Sequence, residues 1–389
     1  MSDASAAIPA EAGVAAFGRQ PSTLKSIQAL RAIAAVAVVF HHVCQPFDWK
    51  GISSPLFMSS KAITEFGQAG VDIFFVISGF IMVVITDRWP ARDRRPLNFL
   101  YKRATRIFPL YWIYTTAFLL MTLLPGVMKN HQYPPAYVLR SYLLLPTYAD
   151  GKAEILGWPA LGVGWTLSFE MLFYLVFAAL IRLDLARSAS VLSIGFILTT
   201  LAGWWFTPTS SPLLAFVTHP LTLEFWLGMA SGLLYCRTNW VGLGLSRSAV
   251  AIAVLGFAAT IVVPFDDQLR FVVWGVPAFL IVTGMSHLER HRGMRVPKLV
   301  LLLGDASYSI YLTHFFVILV IQTIIMKTKF GAWLRPVDLA IIVLTAFTLV
   351  PGVLSFWLIE SPIIRWFAGH GRRAKQASRS QVVELVPQP

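Results

Sequence analysis

The sequence predicts an all-α polytopic membrane protein of about ten transmembrane helices with both termini in the cytoplasm. Three observations carry that expectation. Hydrophobic residues make up 56% of the chain and charged residues 13%, too little polar surface to cover a soluble body of this size. The apolar residues come in blocks long enough to cross a bilayer. Lysines and arginines, which give a net charge of +13, gather in short connections between those blocks, as orientation in a membrane requires. Nucleic-acid binding, the other common meaning of such a charge, is not needed to explain it.

The first span, about 27–46, follows Arg19 and Lys25, which place the N-terminus inside. Residues 1–24, which lack the basic and apolar regions of a signal peptide, are expected to be a cytoplasmic tail. Loop 47–67 is mixed in charge and expected outside. The second span, about 68–86, is followed by the most basic connection, read as a cytoplasmic loop: Arg88, Arg92, Arg94, Arg95, Lys102, Arg103 and Arg106. The third, about 107–124, leads to an outside segment, 125–163. Its apolar middle, Tyr137 to Leu145, is too short to cross and is expected to lie in the interface or to dip in from outside.

Further spans fall near 164–181, 190–206, 213–235, 248–264, 270–286, 300–325 and 338–358. This alternation leaves Lys327, Lys329 and Arg335 on the outside, against the charge rule. The transmembrane domain then covers 25–366, and 367–389 is expected to be a disordered cytoplasmic tail. No repeat of the kind many transporters carry is visible. Cys44 and Cys236 stand in separate apolar segments without metal-ligand spacing, so no metal site is expected.

Candidate functional residues are the polar groups that a membrane discourages. In Leu30 to Val43, Arg31 and His42 lie eleven residues apart, three near-whole helical turns and roughly 16 Å, so they share a face while His41 falls to one side. Such residues usually face a bundle interior or a water path; snorkelling to opposite interfaces is the plainer alternative. Asp72 opens the second span at the level of His42, where it serves either as a cap-like acid or as a partner of that imidazole. Lys102, Arg103 and Arg106 are explained by orientation alone or by a surface for a phosphorylated cytoplasmic cofactor. Glu170 sits inside a span near Trp165 and Ser168, and must be neutral, paired or wet. Glu224 is a second intramembrane acid. Ser307, Tyr311 and His314, spaced i, i+4, i+7, form a polar stripe on one helix face. Glu360, before Ser361-Pro362, is read as closing the last span.

Taken together, Arg31 followed by His42, the GVDIFFVISGF, KRATRIFPLY, WTLSFEMLFY and GDASYSIYLTH segments, in that order over roughly Leu24 to Arg365, resemble the membrane-bound acyltransferase 3 family. The similarity is greatest to its exopolysaccharide-production, ExoZ-like O-acetyltransferases. The resemblance implies a multi-pass enzyme of the bacterial inner membrane. Such an enzyme moves an acyl group, usually acetyl from cytoplasmic acetyl-CoA, to a sugar hydroxyl of an extracytoplasmic polysaccharide or its lipid-linked precursor. It also implies that Arg31 and His42 are essential. Many members carry two consecutive acids where this chain has Glu170 and Met171, and some carry a fused hydrolase-like domain. This chain is expected to lack that domain and to pass the acyl group directly to the final acceptor.

On that reading His42, Arg31, Glu170 and Asp72 are the expected catalytic set, with His42 as general base and Asp72 or Glu170 orienting it. Arg31, Lys102, Arg103 and Arg106 are expected to hold coenzyme A, which is a substrate and not a resident cofactor. Trp165, Ser168, Ser307, Tyr311 and His314 are expected to contact substrate. Expected partners are the acyl donor, the glycan acceptor, the bilayer and polysaccharide-assembly machinery. The rival reading is a secondary transporter of lipid-linked sugar, with Arg31, His42 and Glu170 as a proton relay. It leaves the basic segment before span three without a purpose.

Overall fold

The computed structural model describes residues 24–57, 61–90, 94–123, 133–148, 156–206, 211–262, 269–329 and 334–369. The tails expected before residue 25 and after residue 366 fall almost wholly outside these residues. Among the described residues the chain is helical apart from a two-residue antiparallel pairing of Thr147–Tyr148 with Leu156–Gly157, and nine helical segments are long and apolar enough to cross a membrane.

Helix α1 (Lys25–Trp49) is built from Ala, Val and Ile around Arg31 and the two histidines. Its first turn has free backbone donors, and a carboxylate from a distant helix satisfies them. Glu289 accepts from the Lys25 and Ser26 amides at 3.0 and 2.8 Å and from the Ser26 hydroxyl at 2.6 Å, a favourable charge at a helix N-terminus. After the short α2 (Lys61–Phe66), α3 (Ala69–Asp87) packs against α1 on one side.

Helix α4 (Pro96–Thr122) begins well before the expected span at 107. Lys102, Arg103 and Arg106 therefore lie on a helix and not in a loop. Pro96 in the first turn is the local reason, since a proline there loses no hydrogen bond and its φ is already helical. The segment read as too short to cross forms α5 (Pro135–Tyr142), tied to α4 by Tyr111 and Trp112, which donate to the Ser141 and Tyr142 carbonyls at 2.8 and 2.9 Å.

Helices α6 (Trp165–Leu180) and α7 (Leu185–Phe206) follow the expected spans. The next one, expected unbroken at 213–235, is divided into α8 (Pro212–Val217) and α9 (Thr222–Arg237). Pro220 lies in the break, and His219 Nδ1 there accepts from the Leu221 amide at 3.2 Å. α10 (Leu243–Val262) is followed by a π-helical turn, Phe271–Gly275, leading into α11 (Val276–Arg292).

The ninth expected span also breaks, into α12 (Lys298–Asp305) and α13 (Ser307–Lys327). At the break Gln28 of α1 donates to Asp305 at 2.6 Å. A Cβ on Gly304 would come within 2.2 Å of the Gln28 carbonyl, so the chain needs glycine there. α14 (Val337–Ser355) runs through a second π-helical turn, Phe356–Glu360, and helix continues to residue 369. Glu360 thus does not end the last span. The π turn accommodates Pro362, and Ser361 keeps helical dihedrals. Glu360 is buried and accepts from Ser309 of α13 at 2.6 Å.

The most extensively packed helix pair is α3 with α9. In water burial of apolar area would hold them; in lipid, close backbone approach through small residues does that work. A Cβ on Gly79 would lie 2.2 Å from the Phe225 carbonyl, and one on Gly228 2.1 Å from the Val76 carbonyl. Gly228 and Gly232 form the spacing GxxxG on α9. The aromatic core fills the space beside this crossing, with Phe173 and Phe225 stacked at 4.6 Å. We expect Gly228→Val to separate the two helices and cost about 1–3 kcal/mol through overpacking. Thermal melting of the detergent-solubilised variant checks this, and an unchanged midpoint would deny the crossing its role.

Candidate active site

Helices α1, α3, α4, α6 and α13 turn polar side chains into one cavity of about 120 Å³, several times what one water needs. Helical spacing explains which residues reach it. Thr166, Glu170 and Tyr174 repeat at i, i+4, i+8 on α6, Arg103 and Arg106 are i, i+3 on α4, and Ser307 and Tyr311 are i, i+4 on α13. Arg31 enters from α1 and Ser78 from α3.

Arg31 donates through Nε and Nη2 to the Ser307 hydroxyl at 3.1 and 2.8 Å. Glu170, expected from sequence to orient His42, is instead held by neutral groups within the same cavity. Glu170 Oε1 accepts from Ser78 at 3.1 Å and from the Tyr174 hydroxyl, and those two hydroxyls lie 3.4 Å apart. Arg103 is buried with its guanidinium 5.6 and 5.7 Å from the centroids of Phe99 and Tyr174, and its Nε has no hydrogen-bond partner among the described residues. Arg106 lines the cavity while remaining exposed. Two guanidinium groups with donors to spare beside a carboxylate make a pocket suited to an anionic ligand that carries a polar reacting end.

The stripe on α13 continues beyond the cavity. Tyr311 lines it and packs 5.6 Å from the His314 ring, which in turn meets the His42 ring edge-on at 4.9 Å. His42 Nδ1 lies 2.8 Å from the Val38 carbonyl. A carbonyl only accepts, so Nδ1 carries the proton and Nε2 keeps its lone pair, as a general base requires. His41 differs: Nδ1 donates to the Thr64 carbonyl at 2.7 Å and Nε2 accepts from Gln45 at 3.1 Å, so both nitrogens are occupied.

Other expected site residues lie elsewhere. Asp72 is fully buried and bound by Arg270 through both oxygens at 3.0 and 2.9 Å. Its carboxylate therefore faces α11's leading turn and not His42, because the guanidinium offers it a bidentate match. Lys102 sits 4.3 Å over the Trp89 ring, outside the cavity. Trp165 packs on Trp158 at 5.4 Å, and Ser168 bonds back to the Gly164 carbonyl at 3.5 Å. Glu224 is buried against Gly275. Sequence reading missed Thr166 and Tyr174, though both stand four residues from Glu170 and could have been found from it. Ser78 and Tyr308, which also line the cavity, were not among the expected site residues.

An acyltransferase-domain family model matches residues 24–358, which includes every helix lining the cavity. The chain belongs to the acyltransferase 3 family. It is 36% identical over 320 residues to the exopolysaccharide production protein ExoZ of Rhizobium meliloti, covering 82% of this chain and 95% of that one. It is 27% identical to the acyltransferase MdmB of Streptomyces mycarofaciens, over 76% of this chain and 79% of that one. To the peptidoglycan O-acetyltransferase OatA of Listeria monocytogenes it is 24% identical, over 88% of this chain and 57% of the relative. No solved structure matches. The protein is a multi-pass membrane O-acetyltransferase.

The hydrogen bonds of Glu170 define a test of its charge. In Glu170→Gln the amide oxygen still accepts from Ser78 and Tyr174, so we expect the fold to survive. Transfer activity should fall by roughly tenfold or more if the carboxylate charge assists the reaction. Near-normal turnover in the purified variant would reduce Glu170 to a neutral packing contact.

Proposed function

We propose that this enzyme takes an acetyl, or similarly short, acyl group from acyl-CoA on the cytoplasmic side of the bacterial inner membrane. It passes that group to a sugar hydroxyl of an extracytoplasmic polysaccharide or its lipid-linked precursor. In this reading both termini are cytoplasmic, and assembly machinery for the glycan is a partner. The observation that supports it most is the line of polar groups from Arg103, Arg106 and Arg31 through Ser307 and Tyr311 to His314 and His42. Cations stand at one end and imidazoles at the other. The names of relatives concerned with exopolysaccharide and peptidoglycan point the same way.

Coenzyme A carries phosphates, for which arginines offer charge-assisted hydrogen bonds, and a flexible arm that ends in the thioester. With the phosphates at the arginines, that arm extends along α13 toward His42. His42 Nε2 takes the proton of the attacking hydroxyl as its oxygen bonds to the thioester carbonyl carbon. The carbon–sulfur bond then breaks, and the proton on His42 passes to the leaving thiolate. The products are the sugar ester and free coenzyme A.

Membranes containing the protein should move radiolabelled acetyl from acetyl-CoA to an alkali-de-esterified cell-envelope glycan, and label that stays with coenzyme A would end the proposal. Within that assay His42→Ala should abolish transfer. His41→Ala should lower stability by about 1–3 kcal/mol, because two hydrogen-bonded neighbours lose a partner, and leave turnover in the folded fraction. Loss of turnover with His41 instead would reverse the assignment. Arg106→Gln should raise the KM for acetyl-CoA more than it lowers kcat; an unchanged KM would mean the arginine only orients the helix.

A further inference from the structure

His314 is wholly buried, and the reaction above gives it no chemical step. Its Nδ1 lies 3.2 Å from the Ile310 carbonyl and so carries the proton, which leaves a bare lone pair on Nε2. That nitrogen has no hydrogen-bond partner among the described residues. The neighbours that could donate are committed. Tyr311 gives its hydroxyl proton to the Val163 carbonyl at 2.9 Å while accepting from Thr166. His41 and His42 direct their Nδ1 protons to carbonyls. His42, whose ring meets that of His314, also carries its proton on Nδ1, so neither imidazole has an Nε2 proton to give the other. A buried acceptor left unpaired costs free energy unless a ligand supplies the donor.

Position indicates which ligand. His314 stands one helical turn beyond Tyr311, outside the cavity where the arginines gather, and beside the base that receives the attacking hydroxyl. Resting on the function proposed above, we propose that His314 Nε2 is a binding atom for the acceptor sugar. It accepts a hydrogen bond from a second hydroxyl or N–H of that sugar while His42 takes the proton of the first. A sugar carries several such donors, and pairing two of them with two fixed acceptors orients the attacking oxygen, so His314 contributes to acceptor choice.

The test uses the full-length protein in membranes, acetyl-CoA, and glycan freed of its esters by mild alkali. His314→Phe keeps a flat ring against His42 and removes the acceptor nitrogen, whereas His314→Gln restores an acceptor oxygen. We expect His314→Phe to raise the KM for the glycan roughly tenfold, the worth of one such bond, and to leave the KM for acetyl-CoA unchanged. His314→Gln should recover part of the loss. If the KM for acetyl-CoA rises instead, the arm of the donor occupies Nε2 and the proposal is overturned. Equal loss in both variants, or none in either, overturns it as well. Should His314→Phe fail to reach the membrane, His314→Gln alone decides by the same comparison of the two KM values. Failure of the wild type to acylate any glycan would instead refute the function on which the inference rests.

Discussion

Arg31 can lie inside an apolar helix because one hydroxyl across the bundle, that of Ser307, accepts from two of its nitrogens. A guanidinium within a bilayer must be paired or wet, and this contact meets the requirement while leaving the remaining donors for the cavity. The surrounding architecture holds the two helices in register for it. Glu289 caps α1, Gln28 reaches Asp305, and Gly304 lets α12 approach the α1 backbone. The break between α12 and α13 follows from that constraint, since Ser307 is the first residue of α13.

The same packing brings the two histidines together farther along. Arg31 meets Ser307 at one end and His42 meets His314 at the other, so α1 and α13 run side by side in the same direction. Between these ends Tyr311 carries the line past the cavity wall. A group entering at the arginines and a group approaching the imidazoles would meet inside the protein, as the proposed transfer requires.

Much of this was legible because membranes make polar residues conspicuous. Arg31, Glu170, Ser307 and Tyr311 were singled out as polar groups in apolar spans, Arg103 and Arg106 by the basic segment that holds them, and all six line the cavity. What failed was pairing. Asp72 was aligned with His42 by depth alone, but its partner Arg270 comes from 198 residues away, and no local pattern foretells a contact of that range. Helix continuity failed where geometry overrode hydropathy: the breaks before α9 and α13 interrupt apolar runs, and a π turn carries the last helix past Pro362. The helical start of α4 was readable from Pro96, and charge alone had suggested a loop.

The central claim is that donor and acceptor converge along α13, with the anionic part of the donor at the arginines. Cryo-electron microscopy of the protein with a non-hydrolysable acetyl-CoA analogue tests it most directly. The account predicts phosphate oxygens within hydrogen-bonding distance of Arg103 or Arg106 and an acyl end pointing past Tyr311 toward His42. An analogue bound outside this cavity, or with its acyl end turned away from the histidines, would contradict it.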